Sequence, residues 1–162
     1  MKKLWQLATA TTLLFAGVLR AAPADRPPFV RITPGAVHWR AVADSPGVEV
    51  ATLVGDPEKT GFYVVRVRFP PHVMDRPHWH PNARYVTVLS GTWYAGTGEH
   101  FDPAKATPLP AGSFMVHPAG ATHWDGSAGD APVVVQIVGY GPETSTPLDA
   151  SQPFWVVVPS VP

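Results

Sequence analysis

Two histidines one residue apart, His78 and His80, stand at the mouth of an apolar, alternating run, PHWHPNARYVTVLSG. In an extended strand residues i and i+2 share a face, so the two imidazoles point one way and Trp79 the other. Two imidazoles on one face bind a divalent ion when a third ligand arrives from elsewhere in the chain. His123 is the candidate, because it follows the turn Pro118-Ala119-Gly120 and opens another short strand. The chain has no cysteine. Disulfides and thiolate metal sites are therefore excluded, leaving histidine and carboxylate as ligands.

The elements that must carry these residues read as strands. Twenty prolines and fourteen glycines cut the chain into short pieces, which argues against long helices. In Gly61–Phe69, Tyr63, Val65, Val67 and Phe69 fall on one face, with Arg66 and Arg68 on the other. Tyr85–Ala95, Ser113–His117, Pro132–Val138 and Phe154–Val158 are similarly rich in β-branched and aromatic residues, and only Pro103–Lys105 suggests a helical turn. Strands at this spacing, separated by proline and glycine turns, predict an all-β sandwich or barrel.

The chain's start carries an export pattern: Lys2 and Lys3, a mostly apolar stretch from Leu4 to Leu19, then Ala22-Pro23-Ala24. Residues 1–24 are expected to be a signal peptide, with a periplasmic or secreted bacterial protein and no membrane anchor remaining after processing. Removing them takes away three basic residues and leaves nine basic against twelve acidic, a formal charge of −3. No basic field remains to hold a nucleic acid. The expected organisation is an N-terminal arm with first strands over 25–47, a barrel core over 48–142, and a C-terminal loop and strand over 143–162.

The motifs in this core resemble the cupin superfamily, whose first motif is commonly written G-x5-H-x-H-x3,4-E-x6-G and whose second is G-x5-P-x-G-x2-H-x3-N. Here His78-Trp79-His80 is followed by Arg84 where the glutamate belongs, then by Gly91 at the expected distance. The second motif has Gly112, Pro118, Gly120 and His123, with Ser127 in place of asparagine, and the opening glycine of the first motif is replaced by His72. The likeness runs over about Val48 to Pro142 and is to small single-domain bacterial cupins. It implies a single jelly-roll β-barrel in which His78, His80 and His123 converge on a metal ion at the mouth.

Arg84 is the departure that matters, since a permanently protonated guanidinium cannot coordinate an ion. It either points outward or binds an anionic substrate group, and repulsion from a divalent ion favours outward. Asp125 shares strand parity with His123, and His117 precedes the Pro118 turn, so both are candidate additional ligands or supports. Gln136, an amide within Val133–Val138, is a candidate partner of a ligating histidine, the alternative being the solvent face of its strand. Tyr85, Trp93, Phe114 and Trp124 could wall an aromatic pocket. His72, His100 and Asp75 lie in turn-like stretches and are expected to be solvated.

Three histidines with open coordination positions make a competent site for Fe(II), Zn, Ni or Mn, and the resemblance to cupin dioxygenases that use ferrous iron implies Fe(II). The leading expectation is a metal-dependent enzyme acting on a small organic molecule, most like the cupin dioxygenases. Two other readings stay open: a non-catalytic barrel that binds a small ligand or senses a metal, and a metal-free vestigial cupin. Phe154–Val158 offers an apolar edge strand, for which homodimerisation is the expected cover.

Overall fold

Periodic alternation in the sequence becomes strand pairing in the computed structural model, which describes residues 28–161. The expected signal segment, residues 1–24, lies outside the described residues. The chain divides into two units, one ending at Arg31 and one running from Ile32. The second unit contains all the strands described here. In chain order these are β1 (Arg40–Ala41), β2 (Glu49–Val54), β3 (Gly61–Phe69), β4 (Val73–Asp75), β5 (His78–Trp79), β6 (Arg84–Ser90) and β7 (Thr92–Thr97). There follow β8 (Thr107–Pro110), β9 (Phe114–His117), β10 (His123–Gly126), β11 (Val133–Gly141), β12 (Thr146–Pro147) and β13 (Trp155–Val157). Helix is confined, among the described residues, to two 3-10 turns, Pro34–Ala36 and Pro103–Lys105.

One sheet has six strands in the order β1-β2-β3-β11-β6-β9, all antiparallel. In the second, β10 is central. It pairs with β4 and β5 along one edge and with β7 along the other, β8 lying beyond β7. β12 pairs with β5, and β13 with β4. The predicted all-β class and the jelly-roll arrangement both hold.

The inner faces of the two sheets supply the core. On β3 Tyr63, Val65 and Phe69 are buried, on β11 Val133, Val135 and Ile137, on β6 Val86 and Val88, and from the second sheet Val73, Trp93 and Ala95. Within each strand the buried positions are an even number of residues apart, as one face of a pleated strand requires, and Val67 completes the β3 set as a partly buried neighbour. The run Tyr85–Ala95, which reads as one strand in sequence, is two. Gly91 turns the chain with φ 75°, and a Cβ there would lie 2.4 Å from the Pro132 carbonyl oxygen, so only glycine fits this turn.

A second, smaller apolar cluster covers the outside of β10, with Met74, Trp124, Ala128 and Val158 buried in it. Trp124 lies directly opposite Gly96 on β7, and a Cβ at Gly96 would fall 2.0 Å from the indole ring. The ring is thus seated on bare backbone. That packing holds β10 from behind, while its other face carries His123 and Asp125.

Candidate metal centre

β5 and β10 bring the histidines together by register. His123 is the direct cross-strand partner of His78, and His80 follows two residues after His78 on the same face. All three are buried, and their ligating nitrogens lie within 4.8 Å of one another. His78 Nε2 and His80 Nε2 are 3.1 Å apart. Two imidazole nitrogens bound to one ion at about 2.1 Å stand about 3.0–3.4 Å apart, so the spacing fits a shared ion.

Hydrogen bonds on the far side of each ring fix which nitrogen faces inward. His78 Nδ1–H donates to the Arg76 carbonyl at 2.9 Å, and His123 Nδ1–H to the Ala121 carbonyl at 2.9 Å. His80 Nδ1–H donates to Glu143 Oε1 at 2.7 Å and to the Thr144 carbonyl at 3.0 Å. With Nδ1 protonated, each Nε2 presents a lone pair, the orientation typical of metal-ligating histidines. His123 Nε2 is buried with no partner among the described residues, and a buried polar atom without one points to a missing ligand. Burial also opposes protonation. It lowers the pKa of His78 and His80, and with the nearby His78 it takes His123 down to about 3. The donor set therefore fits a divalent ion held by His78, His80 and His123.

His117 joins this cluster. Its ring centroid is 3.7 Å from that of His123, it is 2 % exposed, and both of its nitrogens lack partners among the described residues. Burial and the neighbouring His123 and Arg84 hold its pKa far below the ordinary histidine value. Asp125 is buried beside it, with Oδ2 4.0 Å from both His117 Nε2 and His123 Nε2. His117, His123 and Asp125 form a second close group of ligating atoms sharing His123 with the first.

Asp75 corrects an expectation, because it is buried rather than solvated. β4 runs antiparallel to β10, and Asp75 Oδ1 accepts the backbone N–H of Asp125 at 2.6 Å. Trp93 Nε1–H donates to Asp125 Oδ1 at 3.0 Å. Burial pushes Asp75 up to about 8, and burial together with the Asp75 charge pushes Asp125 up to about 7.

Arg84 also corrects an expectation, because it points inward. β6 begins at this residue, and Arg84 shares parity with the buried Val86 and Val88, while Tyr85 takes the outward face. Its Nη1 donates to His80 Nε2 and lies 3.5 Å from Glu143 Oε1. The repulsion that favoured an outward guanidinium is offset by Glu143, which sequence reasoning assigned to a C-terminal loop. Burial would raise the Glu143 carboxyl, but the His80 hydrogen bond and the Arg84 charge hold it below its usual value. Tyr63 OH donates to its other oxygen at 3.3 Å.

Other candidates lie elsewhere. Gln136 has the parity opposite to the buried Val135 and Ile137, and its Oε1 accepts from Arg66 Nε at 3.2 Å on the outer face of the sheet. Tyr85 is 45 % exposed. Phe114 and Trp124 line a separate cavity of about 410 Å3, with Leu109 and Met115. Of the four aromatics only Trp93 adjoins the histidines, its ring centroid 5.6 Å from that of His117. A cavity of about 240 Å3 does open at the cluster, lined by His78, His117 and Arg84 together with Val48, Phe69 and Ile137.

Solved structures share this architecture at low sequence identity. The polyketide cyclase RemF from Streptomyces resistomycificus superposes with TM-score 0.65 and 15% identity, covering 78% of this chain and 89% of that one. KdgF from Halomonas sp. gives 0.55 and 16%, covering 70% and 96%. A predicted oxalate decarboxylase from Thermotoga maritima gives 0.56 and 18%, covering 68% and 98%. No curated protein matches the sequence. The family model for the ChrR Cupin-like domain matches residues 28–139, which include both histidine motifs, and the chain accordingly belongs to that family of cupins.

Proposed function

We propose that the protein is an exported enzyme that acts on a small organic molecule through a divalent ion on His78, His80 and His123, with ferrous iron and dioxygenase-like chemistry favoured. The observation that carries this reading is the set of three buried rings, each with Nδ1 hydrogen-bonded outward and Nε2 turned toward the other two. When bound, the ion supplies Lewis-acid polarisation of a substrate oxygen and, as Fe(II), affinity for O2. The chain does the rest. The Arg76 and Ala121 carbonyls and Glu143 orient the rings, the apolar residues of the 240 Å3 cavity exclude water, and Arg84 offers donors to a substrate oxygen. The structural relatives named as a cyclase and a predicted decarboxylase support small-molecule chemistry in such a barrel, and no one reaction.

The test is to purify the untagged protein, measure bound metal, and follow oxygen uptake with phenolic and diketone substrates on ferrous reconstitution. Stoichiometric iron with substrate-dependent uptake supports the reading. Metal without turnover favours the non-catalytic binding barrel instead, and no metal at all favours the vestigial one, for which Arg84 against His80 is the specific observation. Export and dimerisation belong to the same proposal. Mature material from the periplasm should begin near Asp25, and sedimentation should give a dimer, since β13 pairs with β4 alone among the described strands.

A further inference from the structure

His78 and His80 face each other with two lone pairs. Each has its Nδ1 proton committed to the Arg76 carbonyl or to Glu143 and Thr144, so both Nε2 atoms, 3.1 Å apart, are acceptors. Two acceptors at that distance repel unless something positive stands with them. The group that does so here is Arg84, whose Nη1 donates to His80 Nε2. An imidazole nitrogen has a single lone pair, and a divalent ion on His80 needs the same one.

We propose that Arg84 is a built-in competitor for the divalent ion at His80, and that ion binding shifts its guanidinium onto Glu143; this rests on the metal-centre reading above. Three features support it. Arg84 Nε is buried with no partner among the described residues, so the side chain is not locked by a full set of bonds in its present position. Glu143 Oε1 is already 3.5 Å from Nη1, within a short swing of the head group, and Tyr63 steadies the other carboxylate oxygen. The cross-strand neighbour of Arg84 on β11 is Gly139, where a Cβ would lie 2.6 Å from the Tyr63 hydroxyl. The bare backbone there keeps Tyr63, Glu143 and Arg84 together.

The arrangement also explains how an arginine stands where the cupin motif has glutamate. The carboxylate has moved to Glu143, behind His80, and the guanidinium and carboxylate together add no net charge beside the ion. Removing the arginine then frees a ligand, and removing the glutamate strands a cation next to the ion while also loosening the His80 ring.

The experiment measures Zn2+ affinity of the full chain by competition with a chromogenic chelator, for wild type, Arg84→Met, Glu143→Gln and the double variant. Arg84→Met should bind about tenfold tighter or more. Glu143→Gln should bind about tenfold weaker, and by a smaller factor once Arg84 is gone. A purely structural role for the pair would weaken binding in both single variants. Unchanged or weaker binding by Arg84→Met, with wild type still binding Zn2+, overturns the competitor and leaves the metal centre standing. If neither wild type nor Arg84→Met binds Zn2+, the metal centre itself is wrong and the competitor falls with it. Should Arg84→Met fail to fold, Arg84→Gln, uncharged and of shorter reach, carries the same expectation.

Discussion

Trp93→Phe removes a donor from one of the most buried polar contacts in the barrel. The indole N–H donates to Asp125 Oδ1 at 3.0 Å, in a residue 1 % exposed against one 6 % exposed, so water cannot replace it. Losing a hydrogen bond to a buried carboxyl group costs about 1–2 kcal/mol, between the neutral and the charged values, because burial raises the Asp125 pKa to about 7. The smaller ring leaves about 40 Å3 unfilled, worth about 1 kcal/mol at 24 cal/mol per Å3. The total is about 2–3 kcal/mol, or about 6–12 °C in melting temperature for a domain of this length. Urea unfolding in the presence of a chelator measures it without contribution from bound metal. Asp125→Asn supplies the control. Alone it keeps an oxygen for Trp93, and combined with Trp93→Phe it removes the stranded carboxylate, so the double variant should recover about 1 kcal/mol. A loss below about 1 kcal/mol for Trp93→Phe, or no recovery in the double variant, would show that the contact does not hold the site.

Three further outcomes follow from the packing around the histidines. His123→Ala should abolish Zn2+ retention, whereas His100→Ala, on an exposed residue, should leave metal content unchanged; equilibrium dialysis separates the two. Gly96→Ala should destabilise by about 1–3 kcal/mol, because the new methyl meets the Trp124 ring, and near-ultraviolet circular dichroism should report the displaced indole. Ser127→Ala should cost about 1 kcal/mol in denaturant unfolding, since the buried Ser127 hydroxyl donates to the Ala131 carbonyl at 2.7 Å and closes the turn into β11.

Much of the barrel is legible in the alternation of single strands. Tyr63, Val65 and Phe69 face the core as their two-residue period requires, and the same rule puts His78 and His80 on one face. For Arg84 the rule works from one end of the strand only. Counting forward from His80 crosses Pro81 and Asn82, which break the alternation, whereas counting back from the apolar pair Val88 and Val86 turns Arg84 inward. Gln136 was open to the same count from Val135 and Ile137. Glu143 was not legible at all, because its place at His80 depends on how the chain leaves β11, far along the sequence from that histidine. Asp75 was hidden differently: three residues are too few to show a period, and its burial comes from β10 and β13 on either side of β4.

The contacts that orient His80 come late in the chain. Glu143 and Thr144 fix its Nδ1 proton, and β12 and β13 close the strands on which His78 and Asp75 sit. Such long-range pairings carry a loop-closure cost that local hairpins do not, so they are expected to join the structure later. On that order the centre is expected to assemble on the native side of the folding barrier, where stabilisation acts on the unfolding rate and not on the folding rate. A bound ion would act as a kinetic clasp, lengthening the lifetime of the folded barrel while leaving the speed at which it forms unchanged.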